Sequence, residues 1–129
     1  MADSFWSSLK TRLKGAFAKR DLNFEAKWVV TVDELQISCK RPNGVVESVD
    51  WRDLHLIGIA TTDEGPYMPD VFWYLIGEKG ACIVPQGATG EDAMLEKIQQ
   101  LPGFDNEAVI KAMACTTNNK FICWQRSDT

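Results

Sequence analysis

Apolar and polar positions change period twice along this chain. In residues 4–19, Phe5, Leu9, Leu13, Ala16 and Phe17 fall at i, i+4, i+8, i+11 and i+12. That spacing lines one face of a helix. Ser4 can cap it, and Lys10, Arg12, Lys14, Lys19 and Arg20 weight its other faces with positive charge toward the C-terminal end, where the helix dipole favours it. From about residue 26 the period becomes two, the signature of half-buried strands. Trp28, Val30 and Val32 make a first strand; Leu35, Ile37 and Cys39, alternating with Gln36, Ser38 and Lys40, make a second. Arg41-Pro42-Asn43-Gly44 is a turn, because Asn-Gly accepts positive φ and proline fixes its own. Strands follow at 45–51 and 54–62. The loop 63–70, with one glycine and two prolines, would interrupt a ladder. Val71 to Ile76 is almost wholly apolar, which predicts a central strand or one buried on both faces. Glu78-Lys79-Gly80 turns it into a hairpin partner at 81–84. After Pro85 the pattern turns helical. Met94, Leu95, Ile98 and Leu101 predict a helix over about 91–101. Val109, Ile110 and Met113 predict a second over about 106–114, capped by Asp105 or Asn106. A last strand runs from Lys120 to Trp124.

Short links between successive strands imply antiparallel pairing, and strands followed by helices imply an α+β fold. The expected architecture is an N-terminal helix, a curled antiparallel sheet of about six to seven strands, and two C-terminal helices before the last strand. Such a sheet can close as a half-barrel, and its element order resembles the pleckstrin-homology-like architecture. The expected organisation is a basic amphipathic helix over 1–20 and one α+β domain over 21–129.

The chain has 129 residues, 45% hydrophobic and 25% charged, ordinary values for one folded domain. Its formal net charge is −4. Residues 1–20 hold five bases and one acid, a local +4, leaving nine bases and seventeen acids, or −8, for the rest. That balance excludes bulk nucleic-acid affinity, which needs a basic footprint. No apolar run approaches the length of a membrane span, and the N-terminal charges are interleaved with Phe5, Trp6, Leu9 and Leu13 rather than preceding an apolar block. A cytoplasmic chain with reduced thiols is therefore expected. Cys39, Cys82, Cys115 and Cys123 form no C-x-x-C pair and no cluster with the single histidine, so no structural zinc and no cofactor are expected.

Three groups of residues can carry chemistry. His55, next to Asp53 and Asp50, can act as a general base or simply sit half-exposed on a strand. No nucleophile-elbow, zinc-protease, P-loop or dinucleotide motif accompanies it. Gly87-Ala88-Thr89-Gly90 precedes a helix and can present N–H groups to an anion, but it is short and lacks lysine, which favours a capping loop. Asp50, Asp53, Asp63, Glu64 and Asp70 are acidic neighbours in sequence. They can hold Ca²⁺ or Mg²⁺, although the spacing fits no EF-hand; they can form a solvated rim; or, beside Trp51, Tyr67, Phe72, Trp73 and Tyr74, they can form a protein interface with charge for steering and rings for anchoring. The N-terminal stripe of Phe5, Trp6, Leu9 and Leu13 can pack on the acidic body or lie on an anionic membrane or a partner.

The stretches Val49-Asp50-Trp51-Arg52-Asp53-Leu54, Thr61-Thr62-Asp63-Glu64-Gly65-Pro66, Asp70-Val71-Phe72-Trp73, Val84-Pro85-Gln86-Gly87-Ala88, Leu101-Pro102-Gly103-Phe104-Asp105 and Phe121-Ile122-Cys123-Trp124 resemble a family of small bacterial cytosolic proteins. Some of that family accompany polymorphic toxins as immunity proteins. The resemblance covers residues 25–126 and implies no catalytic residue. It implies a non-enzymatic immunity protein that neutralises a cognate toxin, and the acidic body with its aromatic-flanked acidic loop adds the expectation that it plugs a basic active-site cleft. On that reading Asp63, Glu64, Tyr67 and Asp70 make the contacts, with Asp50 and Asp53 as flanking charges. The alternatives are a peripheral membrane module using the N-terminal helix, and a small enzyme using His55.

Overall fold

A computed structural model of the chain describes residues 27–62, 71–115 and 117–126. The expected N-terminal helix, with Phe5, Trp6, Leu9 and Leu13, and the loop residues Asp63, Glu64, Tyr67 and Asp70 lie outside the described residues.

Among the described residues, seven strands and two helices follow in the order β1 (Val29–Val32), β2 (Gln36–Lys40), β3 (Val46–Asp50), β4 (Leu54–Thr61), β5 (Val71–Gly77), β6 (Ala81–Pro85), α1 (Glu91–Ile98), α2 (Asn106–Ala114) and β7 (Asn119–Gln125). The strands do not make one curled sheet, which corrects the α+β half-barrel expected from the pattern. They form two antiparallel sheets, β1-β2-β3 and β6-β5-β4-β7, and the described residues are mostly sheet with two short helices. The break falls between β3 and β4. A central strand has two edges, and those of β4 are taken by β5 on one side and by β7, from the far end of the chain, on the other. No edge of β4 remains for β3, so the turn at 51–53 passes the chain from one sheet to the other. Sequence proximity favours pairing of neighbours, but a long-range partner with a better apolar match displaces it.

Alternation then assigns the faces. Leu54, Ile57, Ile59, Trp73, Leu75, Cys82 and Val84 point inward and are buried. Val30, Ile37, Cys39 and Val49 meet them from the other sheet. The Cys82 thiol lies 3.8 Å from the Ile37 carbonyl oxygen, which locates the seam. Phe72, Tyr74 and Ile83 on the opposite face of the second sheet are buried too, so β5 is covered on both sides, as its apolar run implies. Gly58 lies beneath the Tyr74 ring, where a Cβ would overlap it, so that close approach requires glycine.

The two helices pack on different sheets, α1 against β1 and α2 against β7 and β4. Met94 and Ile98 of α1 are fully buried, and Ala112 of α2 is as well. The segment before α1 also closes the β1 edge: Val30 N–H donates to the Thr89 carbonyl at 2.7 Å, and Thr89 N–H to the Trp28 carbonyl at 2.8 Å. Gly90 caps α1 at φ 92°, and a Cβ there would strike the Val30 carbonyl, so both the backbone region and the packing demand glycine.

Burial makes the thiols sensitive to alkali. Desolvation pushes Cys39 and Cys82 up to about 12 and Cys123 to about 11. The folded state therefore keeps these protons after the unfolded chain has released them. Their contribution is complete below about pH 8.5 and is lost as pH climbs toward the folded values. Cys39 and Cys82 are each expected to cost about 1.5–2 kcal/mol of stability by pH 10. Urea unfolding at pH 8 and pH 10 measures this, and a C39A/C82A variant should show a flatter pH dependence.

Candidate functional site at one end of the sheets

Three tight connections meet at one end of the molecule: 33–35 between β1 and β2, 51–53 between β3 and β4, and 78–80 between β5 and β6. The first is closed by an acidic side chain. Both the Leu35 and Gln36 N–H groups donate to Asp33 Oδ1 at 2.8 Å. These bonds favour the carboxylate, first through Gln36 and then Leu35, and hold Asp33 below the ordinary range. The second connection is stitched to the first: Trp51 N–H donates to the Leu35 carbonyl at 3.0 Å, and Trp51 Nε1 to the Asp33 carbonyl at 2.8 Å. The third is stitched to the second, because Lys79 N–H donates to Asp53 Oδ2 at 2.9 Å and Glu78 N–H to the Asp53 carbonyl at 3.3 Å. Arg126, just past β7, completes the set. Its Nε donates to the Leu54 carbonyl at 2.7 Å, its Nη2 to the Trp51 carbonyl at 2.9 Å, and its N–H to the His55 carbonyl at 2.8 Å.

This end therefore holds its side chains on a fixed backbone. Glu34, Asp50 and Glu78 are exposed, and Leu35 is 75% exposed at the tip. The half-buried Trp51 ring lies under Lys97, whose Nζ is 5.8 Å from its centroid. Arg52 and Lys79 are exposed at the same end, so the charge is mixed, with acids ahead. His55 stands at a register shift between Leu54 and Leu56 where β4 meets β5. Its Nε2 is 3.8 Å from Glu78 Oε1, and Asp53, His55 and Glu78 offer ligand atoms that all lie within 4.8 Å of one another.

Of the residues expected to act together, Asp50 and Asp53 come to this end. Residues 63–70 are bounded by Thr62 and Val71 at the opposite end of β4. Eight strand residues separate the two ends by about 25 Å. The glycine segment before α1 is not an open anion site. The Glu91 carboxylate occupies it, accepting from Gly87 N–H at 3.1 Å and from Trp73 Nε1 at 3.2 Å. Sequence reasoning missed Glu78, Arg126 and Asp33. Asp33 carries a local signal, an Asx turn two residues before an apolar run. Glu78 and Arg126 carry none, since only the β4–β5 and β4–β7 pairings bring them to His55.

At the far end, Thr61 Oγ1 donates to the Thr117 carbonyl at 2.6 Å and lies 3.4 Å from Cys115 Sγ. Hydrogen bonding from the side chains of Thr117 and then Thr61 lowers the Cys115 thiol from its ordinary value. Among the described residues, no helix is long and apolar enough to cross a membrane. No protein-family model, no curated protein and no solved structure matches the chain.

Proposed function

We propose that this chain is a non-enzymatic binding protein of the immunity type, acting in the cytoplasm, which engages a basic protein toxin through the end formed by the three turns. One observation carries the reading: an exposed apolar tip, Leu35, and a tryptophan, Trp51, stand among the exposed carboxylates of Glu34, Asp50 and Glu78 on a hydrogen-bonded backbone. An apolar anchor with a charged rim is the composition of a protein interface, and a rigid backbone loses little entropy on docking. The exposed carboxylates steer a basic partner toward it. The surroundings of His55 support a role without chemistry. Its side chain is 44% exposed and that of Glu78 is 72% exposed, whereas acid–base catalysis gains from a water-excluded site.

The test is retention of a partner from the native host by the tagged chain, wild type against E34K/D50K/E78K. These three side chains are exposed, so the variant is expected to fold. The expected result is a basic protein retained by the wild type and lost by the variant. Equal retention by both overturns this placement of the interface.

A further inference from the structure

The geometry points to a divalent transition-cation site, of the zinc class, formed by Asp53, His55 and Glu78. It goes beyond the binding reading and does not depend on it. The donors are one imidazole nitrogen and two carboxylates, a set that suits Zn²⁺ and its neighbours better than Mg²⁺ or Ca²⁺, which prefer oxygen alone. Each donor comes from a different segment. Asp53 is in the β3–β4 turn, His55 sits at the register shift of β4, and Glu78 is in the β5–β6 turn.

The backbone beneath them is already fixed. Glu78 N–H reaches the Asp53 carbonyl, Lys79 N–H holds Asp53 Oδ2, and Arg126 N–H holds the His55 carbonyl. With Oδ2 so engaged, Oδ1 of Asp53 is the natural ligand, and the Lys79 bond orients it from behind, as outer-shell partners do in metal sites. His55 Nε2 and Glu78 Oε1 are 3.8 Å apart, too far for a hydrogen bond. A cation about 2.1 Å from each donor spans that gap at an open angle. All three ligand atoms lie within 4.8 Å of one another, and donors about 2.1 Å from a tetrahedral cation stand about 3.4 Å apart, so side-chain shifts of about 1–1.5 Å close the set. Three protein ligands on an exposed surface leave the remaining positions to water.

The experiment is titration of the full chain with ZnCl₂ by calorimetry, alongside the histidine ring resonances in NMR spectra. It is done in a C115S background, because Cys115 is a partly exposed thiol with a lowered pKa and is a competing ligand. The expected result is one equivalent bound in the micromolar range, with the His55 ring shifting in step. His55→Ala and Glu78→Gln should each weaken binding at least tenfold, and MgCl₂ should give no comparable shift. Circular dichroism checks that both variants stay folded, and Glu78, being exposed, gives the cleaner one. Absence of binding at millimolar Zn²⁺, or unchanged binding in both variants, overturns the site. Partner retention in the presence of a chelator separates this outcome from the partner reading, which needs no metal.

Discussion

Replacing Trp73 with alanine is expected to cost about 4 kcal/mol of folding stability, enough to leave the fold marginal. Trp73 is 1% exposed on β5, paired across the ladder with Ile59 and Val84. Truncation removes the largest inward side chain of that strand and leaves a cavity that the surrounding sheet cannot fill; buried Trp→Ala changes cost about 3–5 kcal/mol. It also strips Glu91 of the Trp73 Nε1 donor while its other oxygen still closes the start of α1. Urea unfolding of W73A and W73F separates the terms. W73F keeps most of the volume and loses the hydrogen bond, so it should fall between W73A and the wild type. A loss below about 1 kcal/mol for W73A would mean that the seam between the sheets is not the core described above.

Arg41→Met alone is expected to cost about 3 kcal/mol, and R41M/E47L markedly less. Arg41 Nη2 and Glu47 Oε2 are 2.9 Å apart, and both side chains are 12% exposed. Glu47 stands opposite Cys39 on the inward face of the first sheet, and the Arg41 guanidinium lies over the Trp28 ring at 5.7 Å. Removing one partner leaves a carboxylate poorly solvated, whereas removing both removes the desolvation cost with it. A double-mutant cycle in urea measures the difference. Equal losses for the single and double variants would show that packing, and not the charge pair, governs this position.

The strands and helices were legible because their signals are local. Period-two runs marked Val29–Val32 and Gln36–Lys40, the apolar run marked Val71–Gly77, and Asp105 marked the start of α2, where its carboxylate accepts the Ala108 N–H at 3.1 Å. The division into two sheets was not legible. It depends on β7 pairing with β4 across more than fifty residues, and no local pattern says which of two apolar strands will take an edge. The site divides in the same way. Asp50, Trp51, Asp53 and His55 are neighbours in sequence and remain neighbours in space. Glu34, Glu78 and Arg126 join them only through the turns and strand pairings. Asp63, Glu64, Tyr67 and Asp70, which sequence distance groups with Asp50 and Asp53, lie outside the described residues.

On the proposed function, the end carrying Glu34, Leu35, Asp50, Trp51 and Glu78 docks a basic protein. Stopped-flow association with the retained partner, followed across a range of ionic strength, tests it most directly. Wild type is compared with E34K/D50K/E78K and with D63K/E64K, which alters the loop bounded at the other end of β4. The first variant is expected to associate at least tenfold more slowly than wild type with a flattened salt dependence, and the second to match wild type. The reverse outcome, with D63K/E64K slowed and E34K/D50K/E78K unchanged, would overturn this placement and move the interface to residues 63–64.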